Sequence, residues 1–285
     1  VTVGGAIVVA NSVSLKKTDG TELISTSGHL ISTIADVTPG EPMTTAQIYA
    51  ANIGSVVGIT TEGTTTNIFG QTSRFAASGT GFVITSDGYI VTNNHVVADG
   101  DKFTVSFADG TSYEAKIIGA DSQNDTALIK INASGLTPVK LGSSAGLVVG
   151  EDMCTIGNPL GELTFSLSRG VVSALDRVID MGDGYALNMF QLDAAVNSGN
   201  SGGPVFNSYG EVVGMITAKY SESGVEGLGF ALPIDDIISI VNQLKEYGYV
   251  TGRPYLGIKV STATTFTDPR FGEVYGVAGA RIESV

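Results

Sequence analysis

With 285 residues and 38 glycines, the chain is long enough for one large or two modest domains and rich in the residue that many short strands and tight turns need. Fifteen Lys and Arg against 28 Asp and Glu leave a net charge of −13, which argues against nucleic acid as a partner, because phosphate binding needs a basic surface. A lone cysteine, Cys154, rules out an intrachain disulfide, and with neither a Walker-type loop nor a zinc-spaced Cys/His cluster in the sequence, no cofactor and no catalytic metal are expected.

Residues 1–43 carry no strong periodicity and are read as an N-terminal segment of undefined structure. The apolar run Gly5–Ala10 is too short to span a bilayer and lacks the flanks of a signal peptide. The chain starts with valine, which reads as a mature or truncated form. His29, one of two histidines, sits in the polar stretch Thr26–Leu30 and is read as solvated. Thr44-Thr45-Ala46-Gln47 then fits a capping box opening a short helix through about Asn52, with Gly54 as its stop. Strands follow in quick succession, punctuated by turn signals at Ser86-Asp87-Gly88, Ala108-Asp109-Gly110 and Asn207–Gly210. The alternation Phe103-Thr104-Val105-Ser106-Phe107 marks a half-buried strand. So many short strands with few helices indicate barrels rather than a parallel sheet.

Between these strands lie three residue types that make a nucleophile. His95 stands at the exit of the β-branched and aromatic run Gly88–Thr92, where a base could be held rigidly yet face a cleft. Asp125 directly abuts the apolar strand Thr126–Ile131, so its carboxylate can be buried against an imidazole, whereas Asp121 sits in the turn before it. Gly199-Asn200-Ser201-Gly202-Gly203-Pro204 places one serine among glycines that can turn the chain sharply and aim amide hydrogens at one point. This stretch also fits the G-x-S-x-G elbow, but no histidine follows Ser201, and Pro204-Val205-Phe206 leads to a turn and another strand rather than a helix. A subtilisin-like order would need a parallel α/β pattern around Asp36 or Asp87, and none is present. The order His95, Asp125, Ser201 is that of chymotrypsin-like two-barrel folds, with His95 and Asp125 in the first barrel, Ser201 in the second and the cleft between them. The expected fold is therefore all-β: two six-stranded antiparallel β-barrels of chymotrypsin/trypsin-like type with a C-terminal helix. That helix spans Asp235 to Tyr247, with Ile237, Ile238, Val241 and Leu244 on one face and Gly248 closing it. Cys154 reads as a small buried strand residue.

Six stretches in this order resemble the HtrA/DegP-like (high-temperature-requirement) serine proteases: S-G-T-G-F-V-I-T-S-D-G-Y-I-V-T-N-N-H-V-V at 78 to 97, N-D-T-A-L-I-K-I at 124 to 131, G-N-P-L-G at 157 to 161, N-S-G-N-S-G-G-P-V-F-N at 197 to 207, G-L-G-F-A-L-P at 227 to 233 and R-P-Y-L-G-I at 253 to 258. The resemblance implies that Ser201 attacks a peptide carbonyl, His95 relays the proton and Asp125 orients the imidazole. It implies an oxyanion hole from the N–H groups of Gly199 and Ser201, with Asn200 in the same loop, and substrate pairing along Thr217, Ala218, Lys219 and Tyr220. Arg177 matches the sensor-loop arginine of the family. The implied substrates are misfolded or exposed polypeptides, cleaved after small aliphatic residues in protein quality control and the stress response. A holdase with its protease site at rest is the alternative. The resemblance further implies an extracytoplasmic, bacterial-envelope location, with the protein membrane-anchored or secreted, a tether upstream of this chain, and a homotrimer joined by aromatic contacts for which Phe69 and Phe75 are available. Residues 44–250 form the protease domain in this reading, and 251–285 a linker with the truncated start of a PDZ domain, since only about 30 residues follow Arg253-Pro254-Tyr255-Leu256-Gly257-Ile258. Three positions depart from the family pattern, Gly54, Thr126 and Ser198, and none removes a reacting atom.

Overall fold

The computed structural model describes residues 38, 40–66, 72–158, 165–181, 186–218, 228–253, 259–263, 266–267, 274–275 and 279–284. All of them belong to the unit Ala35–Val285. Helix α1 (Thr45–Asn52) is the first described element, and its capping box forms as its sequence dictates: Thr44 Oγ1 accepts the Gln47 N–H at 3.3 Å and Gln47 Oε1 accepts the Thr44 N–H at 2.8 Å. A 3-10 turn, Ile53–Ser55, then carries the backbone through Gly54 into the first strand.

Strands β1 (Val56–Thr66), β2 (Thr72–Val83), β3 (Tyr89–Thr92), β4 (Lys102–Phe107), β5 (Ser112–Asp121) and β6 (Thr126–Ile131) close a barrel in the order β1-β2-β3-β6-β5-β4. Each neighbouring pair is antiparallel. The one-turn helix α2 (Asn94–Val97) follows β3, so His95 sits in a helical turn just past the strand. Phe103, Val105 and Phe107 point inward and are buried, as the two-residue alternation requires.

The second barrel uses β7 (Lys140–Leu141), β8 (Asp152–Gly157), β9 (Ser166–Asp180), β10 (Ala186–Leu192), β11 (Pro204–Phe206), β12 (Glu211–Ile216) and β13 (Gly229–Pro233). The order is β11-β8-β9-β10-β13-β12, and β11 pairs back onto β12, which closes six antiparallel strands. The two-residue β7 lies parallel on the outside of β12. The expected pair of six-stranded barrels is thus present.

Helix α3 (Ile234–Tyr247) follows β13 directly, with Asp235 and Asp236 in its first turn and Lys245 in its last, each at the end its charge favours. It stops at Gly248, whose φ of 81° allows its N–H to reach Leu244 O. The buried face is Ile234, Ile237, Ile240, Val241 and Leu244. Ile240 joins the expected Ile237, Val241 and Leu244, at steps of three, four and seven from Ile237, while Ile238 packs half-buried against the same cluster.

Strand alternation sorts the core into layers. In the first barrel Val57, Val83 and Ile129 fill the interior, while their neighbours Val56, Phe82 and Leu128 face out. Those outward side chains join Ile156, Phe206 and Met215 of the second barrel and the apolar face of α3 in one continuous cluster. Burying side chains of this size stabilises by about 1.5–3 kcal/mol each, so the cluster fixes one barrel against the other. Beyond α3, β14 (Lys259–Ala263) pairs antiparallel with β17 (Gly279–Ser284), and β15 (Phe266–Thr267) with β16 (Val274–Tyr275). Of the segment Arg253–Ile258, all but Arg253 lies outside the described residues, as do His29, Asp36 and Phe69.

Candidate active site

His95 is fixed by the turn that carries it. Thr61 Oγ1 on β1 donates to Val96 O at 2.7 Å, and the buried Asn93 Nδ2 donates to Asp125 O at 2.9 Å. The carboxylate of Asp125, with its side chain 4% exposed, then accepts the His95 backbone N–H at 3.0 Å and faces His95 Nδ1 at 2.8 and 2.9 Å. An ionised carboxylate only accepts, so Nδ1 carries the proton and Nε2 is left with its lone pair. Asp125 holds φ 46°, a left-handed conformation costly for a residue with a Cβ, immediately before β6. Its hydrogen bonds hold it there. Thr217, the residue after β12, completes the set by donating Oγ1 to Asp125 Oδ2 at 3.1 Å.

Ser201 reaches this pair from the second barrel. It is 5% exposed, and its Oγ accepts the Ala218 N–H at 3.1 Å. Among the described residues no hydrogen bond joins Ser201 to His95. The loop before it is a β-turn closed by the Asn200 N–H on Asn197 O at 3.0 Å, with Gly199 at φ 97°. A positive φ at the third residue defines a type II turn, in which the central Ser198–Gly199 peptide is rotated relative to type I. The N–H groups of Asn200, Gly202 and Gly203 all meet carbonyl oxygens, on Asn197, Ile216 and Asn200. Those of Gly199 and Ser201 meet no acceptor among the described residues. Two donors flanking the nucleophile and left unengaged are what a developing oxyanion needs.

The remaining sequence expectations fall out unevenly. Asn200 shares the loop, but its N–H is taken by Asn197, and its side-chain oxygen is buried over Gly157 without a partner. Thr217 N–H is occupied by Phe230 O at 3.0 Å, so this residue acts through its hydroxyl on Asp125. Lys219 and Tyr220 lie outside the described residues. Arg177 is exposed on β9, opposite Met189 of β10 and next to Asp176 at φ 53°. Sequence reasoning missed Thr80, Asn93 and the hydroxyl of Thr217, because a single threonine or asparagine in a strand carries no local signature.

Four residues upstream of Asp125, the buried Asp121 takes Arg253 Nη1 and Nη2 at 2.5 and 2.6 Å, Asn124 Nδ2 at 2.7 Å and the Gln123 N–H at 3.1 Å. Burial raises its pKa, but the bonds from Arg253 and Asn124 and the guanidinium charge outweigh it and hold the carboxyl below its usual range. The turn that presents Asp125 is thereby tied to the segment after α3. Among the described residues no group of three or more His, Cys, Asp or Glu could hold a metal ion.

Known proteins share this architecture. A family model described as a trypsin-like peptidase domain matches residues 79–215. A protein of Pseudomonas putida named "Probable periplasmic serine endoprotease DegP-like" is 44% identical over 205 residues, covering 71% of this chain and 42% of that one. One of the same name from Brucella suis is 45% identical over 194 residues, covering 67% and 37%. The chain thus spans about two fifths of the length of the curated relatives it matches. Among solved structures, the HtrA-type protease AlgW with a tripeptide is 31% identical at a TM-score of 0.64, covering 76% of this chain and 68% of its own. A variant of AlgW with a decapeptide reaches a TM-score of 0.70 at 30% identity, covering 77% and 72%.

Proposed function

Because this chain belongs to the HtrA/DegP-like family of trypsin-like serine proteases, we propose that it is a serine endopeptidase acting through Ser201, His95 and Asp125. The observation that carries the reading is that the consecutive Thr217 and Ala218 bond both the carboxylate that holds the His95 imidazole and the hydroxyl of Ser201, a serine whose own N–H and that of Gly199 are unengaged among the described residues. In the proposed cycle the Ser201 hydroxyl leaves the Ala218 N–H by rotation about its Cα–Cβ bond and gives its proton to His95 Nε2 as Oγ attacks the scissile carbonyl. The oxyanion formed is held by the Gly199 and Ser201 N–H groups, one such donor being worth about 3–4 kcal/mol of barrier. The imidazolium, stabilised by Asp125, then protonates the leaving amine, and water repeats the sequence in reverse on the acyl-enzyme.

The substrates are polypeptides, and within that class we assign misfolded or exposed chains cleaved after small aliphatic residues, with Thr217, Ala218, Lys219 and Tyr220 as the residues assigned to the substrate backbone. Residues 44–250 constitute the protease domain, 1–43 a separate N-terminal segment, and 251–285 the linker and beginning of a PDZ domain. Arg177, exposed beside Asp176, is the assigned sensor for activation. The periplasmic naming of the relatives supports an extracytoplasmic location in the bacterial envelope, and a homotrimer with a membrane tether is the assembly this reading carries. Incubation with unfolded casein tests the activity: the chain is expected to degrade it and Ser201→Ala to leave it intact. Equal loss of casein with both chains refutes the proposal.

A further inference from the structure

We propose that Thr80 is the positioning residue of the oxyanion turn, its hydroxyl holding Gly199 from the opposite barrel. This rests on the serine-protease reading above. Thr80 is fully buried near the end of β2. Its N–H donates to Ser201 O at 2.8 Å and its C=O accepts Thr92 Oγ1 at 2.7 Å. The hydroxyl donates to Gly199 O at 2.6 Å and accepts the Asn158 N–H at 3.0 Å. Every polar group of this residue is therefore engaged, and two of its bonds go to the loop 199–201.

The placement has a chemical consequence. A hydroxyl has one proton to give, and here it goes to the carbonyl of the glycine whose own N–H is left open beside the nucleophile. Gly199 C=O and Asn200 N–H belong to one peptide, so holding that peptide at both ends fixes the Gly199 backbone and with it the direction of the Gly199 N–H. The turn is held at Asn200 N–H by Asn197 O and at Gly199 O by Thr80. Removing the hydroxyl leaves the buried Gly199 O and the half-buried Asn158 N–H without this partner, and the turn opens as Gly199 O finds another donor. The donor then leaves the place where charge develops. Because that donor acts on the transition state, its loss falls on kcat rather than on KM.

Two variants separate this role from packing. Thr80→Val keeps shape and removes the hydroxyl; Thr80→Ser keeps the hydroxyl and removes the methyl. With a chromogenic peptide substrate, Thr80→Val is expected to lose about 10- to 100-fold in kcat with KM within about threefold of the parent, and Thr80→Ser to stay within about threefold in both. Amide hydrogen exchange, read on the same chains without substrate, is expected to speed up at Asn200 by at least about tenfold in Thr80→Val only. Unchanged Asn200 exchange in Thr80→Val overturns the proposal whatever the activity does. A tenfold fall in kcat for Thr80→Ser overturns it as well, and this variant decides the matter alone if Thr80→Val does not fold. A parent chain that cleaves nothing instead defeats the serine-protease reading, while the exchange comparison still decides the role of Thr80.

Discussion

Asp125 accepts both N–H groups of His95, the ring Nδ1–H at 2.8 Å on Oδ2 and the backbone N–H at 3.0 Å on Oδ1. The two bonds fix which oxygen is which. In Asp125→Asn the amide oxygen stays on the backbone N–H, so the NH2 faces Nδ1, donates to it and forces the ring proton onto Nε2. The imidazole then cannot serve as base. A fall in kcat of about 10⁴-fold is expected, with the melting temperature little changed; steady-state kinetics and a thermal melt check it.

Arg253 is predicted to stabilise the protein in a pH-dependent way. Arg253→Met leaves the Asp121 carboxylate buried with only Asn124 and the Gln123 N–H, at a cost of about 2–4 kcal/mol near pH 7. The folded-state pKa of Asp121 is depressed, so its contribution is present above the unfolded value of about 3.9 and is lost as pH falls through the folded one. Urea unfolding at pH 7 and pH 3 is expected to show a gap between parent and variant that narrows in acid.

Gly202 combines φ 83° with a site where an added Cβ would come within 2.1 Å of Thr80 O and 2.3 Å of Thr92 Oγ1. Neither atom can retreat, because one is backbone and the other is bonded to it. Gly202→Ala is expected to destabilise by more than about 3 kcal/mol and to abolish activity, measured by denaturant midpoint and turnover.

Cys154 is predicted to be inert in the folded chain. Burial pushes its thiol up to about 12, with Arg169 opposing only in part. Iodoacetamide at pH 8 is expected to leave the native protein unmodified over an hour and to alkylate it fully in denaturant, as read by intact mass.

The sequence carries the barrels through strand alternation and turn chemistry, and it carries the triad through scarcity: two histidines and one chain order leave few ways to build a nucleophile. The capping box at Thr44 and Gln47 is legible for the same reason, since both partners lie within four residues. What is not legible is every bond that crosses between the barrels. Thr80 meets Gly199 over 119 positions, and Thr217 meets Asp125 over 92. A hydroxyl in a strand looks the same whether it faces solvent or a catalytic loop. Asn200 shows the converse, for adjacency to Ser201 suggested a donor, whereas the turn consumes its N–H on Asn197. Only the fold decides which neighbours in sequence are neighbours in chemistry.

Ser201 is the assigned nucleophile, and its hydroxyl oxygen accepts the Ala218 N–H at 3.1 Å. Treatment of the native chain with a fluorophosphonate, followed by peptide mapping, tests this most directly. One adduct on Ser201 is predicted, absent from Ser201→Ala and strongly reduced in Asp125→Asn. A native, folded chain that takes no label, or takes it on another residue, would contradict the assignment of Ser201 as the nucleophile.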